Sequence, residues 1–302
     1  MHAAVKKVWK YRVAYLFLIP AIVWYFIFCY MPMYGVLLGF KDFRFDLGIW
    51  GSPWAGTRYL NIFLTHHQFW PIIRNTLVIS GLRLFVGFPA AIILALMLNE
   101  VTQRWFKKLT QTVLYLPFFV SWVVVVTLFN RLLSPHGGVV NDLLGSLFGK
   151  DPIFFMGERD YFYPLVTFAH VWKNLGWSTI IYLAALSFVN PELYEAAMID
   201  GAGKLKMIWH ITLPSMKFIM GINIILSLGS LMHVGFEQIY LMQTPGVMAI
   251  AEILDTHVLR QGLQRGQFSY ATIVGLFQSF IGLILVVTAN GLSKKFTEVS
   301  LF

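Results

Sequence analysis

One stretch gathers side chains suited to gripping another macromolecule: Asn190-Pro191-Glu192-Leu193-Tyr194-Glu195-Ala196-Ala197-Met198-Ile199-Asp200-Gly201-Ala202. Asn190 is a good N-cap, and Pro191 suits the first helical position, where its missing N–H costs nothing. Glu192 and Glu195 put negative charge in the first turns, where it complements the helix dipole. Gly201 supplies a C-terminal stop. The spacing predicts a short helix over residues 191–200, with Leu193, Ala196, Ala197 and Ile199 as apolar surface and Glu195 and Asp200 as charge. A second helix is expected to begin at Lys204 and end before Pro214. Taken alone, this pattern fits two structures equally: a hairpin lying on a membrane, or a docking helix for a protein partner.

A second group of polar residues interrupts long apolar runs. Lys173, Asn174, Trp177 and Ser178 stand midway along one run, and Asn174 and Ser178 are four apart, so they share a helix face. Asn223, Ser227, Ser230 and Val234 recur at helical spacing in another, with His233 and Glu237 beside them. Such residues either line a path through a membrane or hydrogen-bond one helix to the next. A lysine near mid-membrane costs about 2.5–3.5 kcal/mol on insertion scales. Lys173 therefore needs a partner from another helix, from carbonyls at a helix end, or from a charged ligand. Arg83 poses the same question.

Catalytic motifs are missing. The nearest approach to a phosphate-binding loop, Gly201-Ala202-Gly203-Lys204-Leu205, lacks the upstream glycine, since position 198 is Met, and has Leu where Ser or Thr should follow Lys. ATP hydrolysis by this chain alone is not expected, and no nucleotide, metal or other cofactor is expected on it. His66-His67 have no carboxylate or third histidine nearby to complete a metal site. Cys29 is the one cysteine, which excludes an internal disulfide and a cysteine-based zinc site. Gly35 and Gly39 form a small-residue step of the kind that packs membrane helices.

The elements that must hold these residues follow from composition. Of 302 residues, 58% are hydrophobic and 12% charged, about half the charge of an average soluble domain. The net charge of +9 is scattered between apolar runs, which excludes the basic stripe of a nucleic-acid-binding protein. The runs are continuous, which excludes the alternating strands of a β-barrel. Stretches of about 20 apolar residues predict six helical spans: Tyr15–Leu38, Thr76–Leu98, Thr112–Leu133, Phe162–Val189, Phe218–Phe236 and Tyr270–Leu292. The first is too long for a signal-peptide core and reads as a retained anchor.

Basic residues mark one side of the membrane. Lys6, Lys7, Lys10 and Arg12 precede the first span; Arg104, Lys107 and Lys108 follow the second; Lys204, Lys206 and Lys217 lie before the fifth; Lys294 and Lys295 follow the sixth. These segments, and both termini, are expected in the cytoplasm. The other connections hold Asp142, Asp151, Glu158, Asp160, Glu252 and Asp255 and face outward, flanked by Trp50, Trp54, Trp70, Tyr161 and Tyr163 as an interfacial belt. Three parts are expected: residues 1–71 with the tail, first span and first outer loop; residues 72–292 with the membrane core, including the 191–214 loop; and a tail at 293–302.

Glu195-Ala196-Ala197, three residues, Gly201, nine residues and Ile211-Thr212-Leu213-Pro214 reproduce E-A-A-x3-G-x9-I-x-L-P in full. This resembles the EAA loop of ATP-binding-cassette (ABC) importer permeases, the binding-protein-dependent inner-membrane components. Pro32-Met33-Tyr34-Gly35-Val36, Phe40-Lys41-Asp42-Phe43, Gly51-Ser52-Pro53-Trp54-Ala55-Gly56, Phe268-Ser269-Tyr270-Ala271-Thr272 and Gly275-Leu276-Phe277 are similar to carbohydrate permeases of the LplB type, relatives of the maltose permease MalF, whose large soluble insertion is absent here.

The resemblance implies an all-α polytopic protein of the MetI-like type I permease fold in the bacterial cytoplasmic membrane, importing a saccharide, with an oligosaccharide as the expected form. It implies pairing with a second homologous permease as a heterodimer, two ATPase subunits that hold ATP and Mg, and an extracytoplasmic solute-binding protein. Glu195, Ala196, Ala197, Asp200, Gly201, Ile211, Leu213 and Pro214 would couple to the ATPase. Lys173, Asn174, Trp177, Ser178, Asn223, Ser227, Ser230 and His233 would line the substrate path, Trp177 stacking on a sugar ring. Competing readings are a permease of the same family for a non-sugar solute, a secondary carrier and an intramembrane enzyme. No Asp or Glu stands in the middle of a span, which opposes proton coupling. His170 and His233 lack catalytic partners in sequence.

Overall fold

The structure, a computed structural model, describes residues 10–297. Lys6, Lys7 and the end of the expected tail, 298–302, lie outside the described residues. All regular structure among them is helical apart from one isolated bridge between Lys41 and Trp54. Two compact units form: one takes in the residues up to His66 together with Val258–Leu276, the other His67–His257 together with the residues from Phe277 onward.

In the first unit α1, Arg12–Phe40, is long and apolar enough to cross a bilayer, and no residue of its most apolar stretch is buried by the chain. A loop follows, then α2, Arg58–Thr65. Here the separate segments that carry the family resemblance meet one another. The Phe40 and Trp54 rings stack 5.9 Å apart, the Asp42 N–H donates to Pro53 O at 2.9 Å, and the Phe43 N–H donates to Ser269 Oγ at 3.0 Å. Phe268 packs edge-on against Phe45, and Ile273 leaves room at Gly39 for little more than a hydrogen. Tyr59 donates its hydroxyl to Asp42 Oδ1 at 2.6 Å; burial first, and then that carboxylate, hold the phenol above its ordinary pKa.

The second unit is built on two long helices, α3 (Phe69–Glu100) and α7 (Arg159–Ser187), which pack on each other more extensively than any other pair. Their 32 and 29 residues span about 43–48 Å at 1.5 Å per residue. Small residues Ala91 and Ala95 on α3 meet Tyr182 and Leu186 of α7 and Met216 in a buried cluster, the small-against-large packing expected where lipid offers no hydrophobic drive. A second cluster, around Ile79, Val126, Phe162, Val166 and Ile239, closes the other end.

Among the described residues, four helices are long and apolar enough to cross a membrane: α1, α3, Lys204–Gly229 and Phe268–Lys294. A bent pair makes a fifth, and α7, long enough but rich in His, Lys, Asn and Trp, stands where the fourth span was expected.

Two expected spans are broken. The third divides into α4, Arg104–Tyr115, which runs on as a tight turn to Phe119, and α5, Trp122–Leu132, at 99° to it. Pro117 lacks the N–H that would continue the helix, and Ser121 restarts it, its Oγ accepting from the Val124 N–H. The fifth ends at Gly229, seven residues short of the expected Phe236. Ser230–Gly235 is irregular, Gly235 takes φ +89°, and α10 follows over Phe236–Met242. The helix expected to stop before Pro214 does not stop. It runs as α9 through Lys204–Gly229, because a π turn over Ile208–Thr212 changes the hydrogen-bond register where the proline's missing N–H falls. Two short helices, α6 over Val139–Phe148 and α11 over Leu254–Leu259, stand in the connections, and the last helix, α12, covers Phe268–Thr297.

Candidate functional site

Two features deserve a functional reading, and α9 joins them. The first is the hairpin of α8, Pro191–Ile199, and the start of α9. Local chemistry folds it as the sequence predicts. Asn190 Oδ1 accepts from the Glu192 N–H at 3.1 Å. At the other end the Ala202 N–H reaches Ala197 O at 2.9 Å and the Gly201 N–H reaches Met198 O at 3.1 Å, a Schellman closure. It needs positive φ at Gly201, found at +74°.

Two side-chain contacts fix the hairpin to the bundle. Tyr194 and Thr212 share a 3.0 Å hydrogen bond between α8 and α9, and the Lys204 ammonium lies 2.8 Å from Glu100 at the end of α3. Ile211 and Leu213 are half-buried, with Leu213 against the Ala91–Tyr182 cluster. Glu195, Ala196, Asp200, Gly201 and Pro214 are exposed, and Ala197 is half-buried. Ile199 is 88% exposed, Leu205 74% and Trp209 67%. The hairpin is thus a knob with exposed carboxylates and a large apolar surface that the described residues do not cover.

The second feature is a cavity of about 300 Å³ between α3, α7, α9 and the break after α9. Seven of the residues singled out from the sequence share its wall: Asn174, Trp177 and Ser178 from α7, Asn223 and Ser227 from α9, and Ser230 and His233 from the break. Asn174 and Asn223 each anchor one amide N–H on the carbonyl four residues back, at 2.8 and 2.9 Å. His233 reaches the wall from irregular backbone, not from the helical stripe that its spacing suggested.

Lys173 does not join them. Its ammonium turns to the break in the third span, 2.7 Å from Phe118 O and 3.4 Å from Pro117 O, and sits 5.4 Å from the centroids of the Phe118 and Trp122 rings. Carbonyls exposed by a bend in a membrane helix must find donors inside the protein, and Lys173 is that donor. Trp177 serves the same bend: one ring face stacks on Phe118 at 4.4 Å, so at most the other face and the edge are open to the cavity. Gly176 lies between them, where any Cβ would collide with the Leu114 carbonyl.

Sequence reasoning left several wall and support residues unassigned. Ser80 and Arg83 of α3 line the cavity, as does His170. The break at Ser230–Gly235 frees three carbonyls, and each is taken by a distant side chain. Ser80 Oγ donates to Leu231 O, Gln278 Nε2 to Met232 O at 2.6 Å, and Arg83 Nη1 to Val234 O. Arg83 Nη2 donates to Gln238 Oε1 at 2.6 Å, and Gln238 in turn donates to Val166 O at 2.8 Å. Asp255 accepts from Gln278 at 2.7 Å and from the Gly235 N–H at 3.2 Å. Arg83 and Gln278, a charge and an amide inside apolar runs, were the available signals. Asp255, in the short helix Leu254–Leu259, gave none.

Comparison with known proteins places this architecture. The family model for the binding-protein-dependent transport system inner membrane component matches residues 87–297. The chain is 44% identical over 296 residues to the polygalacturonan/rhamnogalacturonan transport system permease protein YteP of Bacillus subtilis (strain 168), covering 98% of this chain and 92% of that one. A crystal structure of a bacterial ABC transporter involved in the import of the acidic polysaccharide alginate matches with TM-score 0.90 and 37% identity, over 98% of this chain and 99% of that one. A second structure of the alginate transporter, in complex with an alginate pentasaccharide-bound periplasmic protein, matches with TM-score 0.90 and 36% identity, over 98% and 99% of the two chains.

Proposed function

This chain belongs to the family of binding-protein-dependent transport system inner membrane components, and from that premise we propose that it is the permease subunit of an ABC importer that carries an oligosaccharide, with acidic sugar units, across the bacterial cytoplasmic membrane. The observation that carries the reading is the mechanical continuity between knob and cavity. Tyr194 and Thr212 tie α8 to α9, and α9 runs on through its π turn to supply Asn223 and Ser227 to the cavity wall. From Gly203 to Asn223 the lever is about 30 Å long. A displacement imposed on the knob reaches the cavity without an intervening hinge.

The knob takes the role of ATPase docking element on the cytoplasmic side, where both termini also lie. Glu195 makes a charge-assisted contact with a basic group of the ATPase, and the exposed Ile199, Leu205 and Trp209 fill its apolar cleft. Two ATPase subunits hold ATP and Mg; this chain contributes no group to hydrolysis. A second, homologous permease completes the pathway as a heterodimer, and an extracytoplasmic binding protein delivers the sugar. The cavity suits a saccharide because it combines amide and hydroxyl groups, which exchange hydrogen bonds with sugar hydroxyls, with the free part of the Trp177 ring, which packs on sugar C–H groups.

The test is reconstitution in lipid. The chain alone is expected to hydrolyse no ATP and take up no sugar, whereas the complex with ATPases, partner permease and loaded binding protein does both. ATP hydrolysis by the single chain, or sugar uptake without ATP, would refute the assignment.

A further inference from the structure

We propose that Arg83 sets the charge selectivity of the cavity: it is the fixed cation that favours a saccharide bearing carboxylates over a neutral one of the same size. The proposal rests on the reading of the chain as an oligosaccharide permease, and the observations behind it are independent of any relative's substrate.

Among the described residues, Arg83 is the one Lys, Arg, Asp or Glu in the cavity wall. Lys173, the other cation of the region, is turned away toward Phe118 O. The oxygens that Arg83 touches, Val234 O and Gln238 Oε1, belong to neutral dipoles. They orient the guanidinium without cancelling its charge, and among the described residues it joins no ion pair. Asp255 has one oxygen on the Gly235 N–H and the other on Gln278, and reaches Arg83 only through space. The Arg83 Nε–H is buried and has no acceptor among the described residues. A cation held this way in a low-dielectric wall, offset in part by Asp255 across the break but with no carboxylate beside it in the cavity, leaves the cavity a net positive potential that water screens weakly. The facing groups from the other elements, His170, Asn174, Asn223 and His233, carry no negative charge to oppose it.

The competing explanation is that Arg83 is a staple for the broken helix, like Gln278, which closes Met232 O in the same break but lies outside the cavity wall. The two roles separate in one experiment. The full complex, with ATPases, partner permease and binding protein, is reconstituted in proteoliposomes. Uptake of a trigalacturonate is compared with uptake of its methyl ester, the same size without the charge, each normalised to the fraction of binding protein loaded.

The wild type is expected to move the free acid about tenfold faster, the scale of one partly screened charge–charge interaction across the cavity wall. Arg83→Met removes that preference, Arg83→Lys keeps most of it, and Gln278→Leu slows both sugars in equal proportion. Equal rates for acid and ester in the wild type overturn the proposal, as does an assembled Arg83→Met complex that still prefers the acid. If Arg83→Met does not assemble, Arg83→Lys decides: preference retained supports the charge role, and preference lost overturns it. A complex that hydrolyses ATP yet moves neither sugar counts instead against the permease reading.

Discussion

Replacing Lys173 with methionine separates a structural cation from a substrate-reading one. The side chain closes the carbonyl of Phe118 at 2.7 Å and reaches that of Pro117 at 3.4 Å, at the 99° bend between α4 and α5. The shorter bond sets the scale: a hydrogen bond to a charged group contributes about 1.5–3 kcal/mol, and the longer one adds little. Methionine fills nearly the same space and has no charge to desolvate, which returns part of the loss. The net destabilisation is therefore expected near 1–2 kcal/mol, concentrated on the bend.

The assay is thermal unfolding of the purified complex in detergent alongside uptake of acid and methyl-ester trisaccharides. The midpoint should fall by a few degrees while the acid-to-ester ratio stays constant. Lys173→Arg, which keeps donors near both carbonyls, should fall less. A selective loss of the anionic sugar, with unfolding unchanged, would refute the reasoning and restore Lys173 to the substrate path.

Glu195→Lys or Gly201→Asp should uncouple the ATPase while the membrane bundle stays folded. The first reverses a contact worth about 1.5–3 kcal/mol and the second strains a φ of +74°, so ATPase capture in a pull-down should drop more than tenfold; unchanged capture and transport would remove the docking role. Gly176→Val should destabilise the complex far more than Lys173→Met, because its side chain would have to displace the Leu114 carbonyl from α7, and expression and thermal midpoint should both fall; a well-expressed, stable variant would contradict the close approach.

What the sequence could disclose depended on how local the determining physics was. The α8 hairpin was legible because each signal sits within a few residues of what it controls: Asn190 caps Glu192, and Gly201 closes on Met198. Six polar residues of the cavity wall were legible for a similar reason, since Asn174, Trp177 and Ser178 share one helix, Asn223 and Ser227 share another and Ser230 follows directly on its end. The breaks were not legible. Hydropathy sums over a window, and neither Pro117–Ser121 nor Ser230–Gly235 lowers the sum enough to register a bend. Lys173 looked like a ligand for the substrate because its partners lie 55 and 56 positions away, across a turn that no periodicity reveals. Arg83 is the converse case: the charge was visible, but its anchors, 151 and 155 positions along the chain, were not.

The same distances govern how the protein can be made. A chain leaving the ribosome delivers α4 and α5 to the insertion machinery well before Lys173 has been synthesised, so the Phe118 carbonyl enters the bilayer without its donor. The break after α9 has Ser80 and Arg83 already waiting, but Met232 O stays open until Gln278 arrives, 46 residues later. An open carbonyl in hydrocarbon costs several kcal/mol, so the half-helices should linger beside the insertion channel, or under a chaperone, until their late donors are released. Two retained stages are then expected in biogenesis, the first completed by α7 and the second by α12, and a nascent chain cut short between residues 235 and 278 is expected to stay sensitive to membrane proteases.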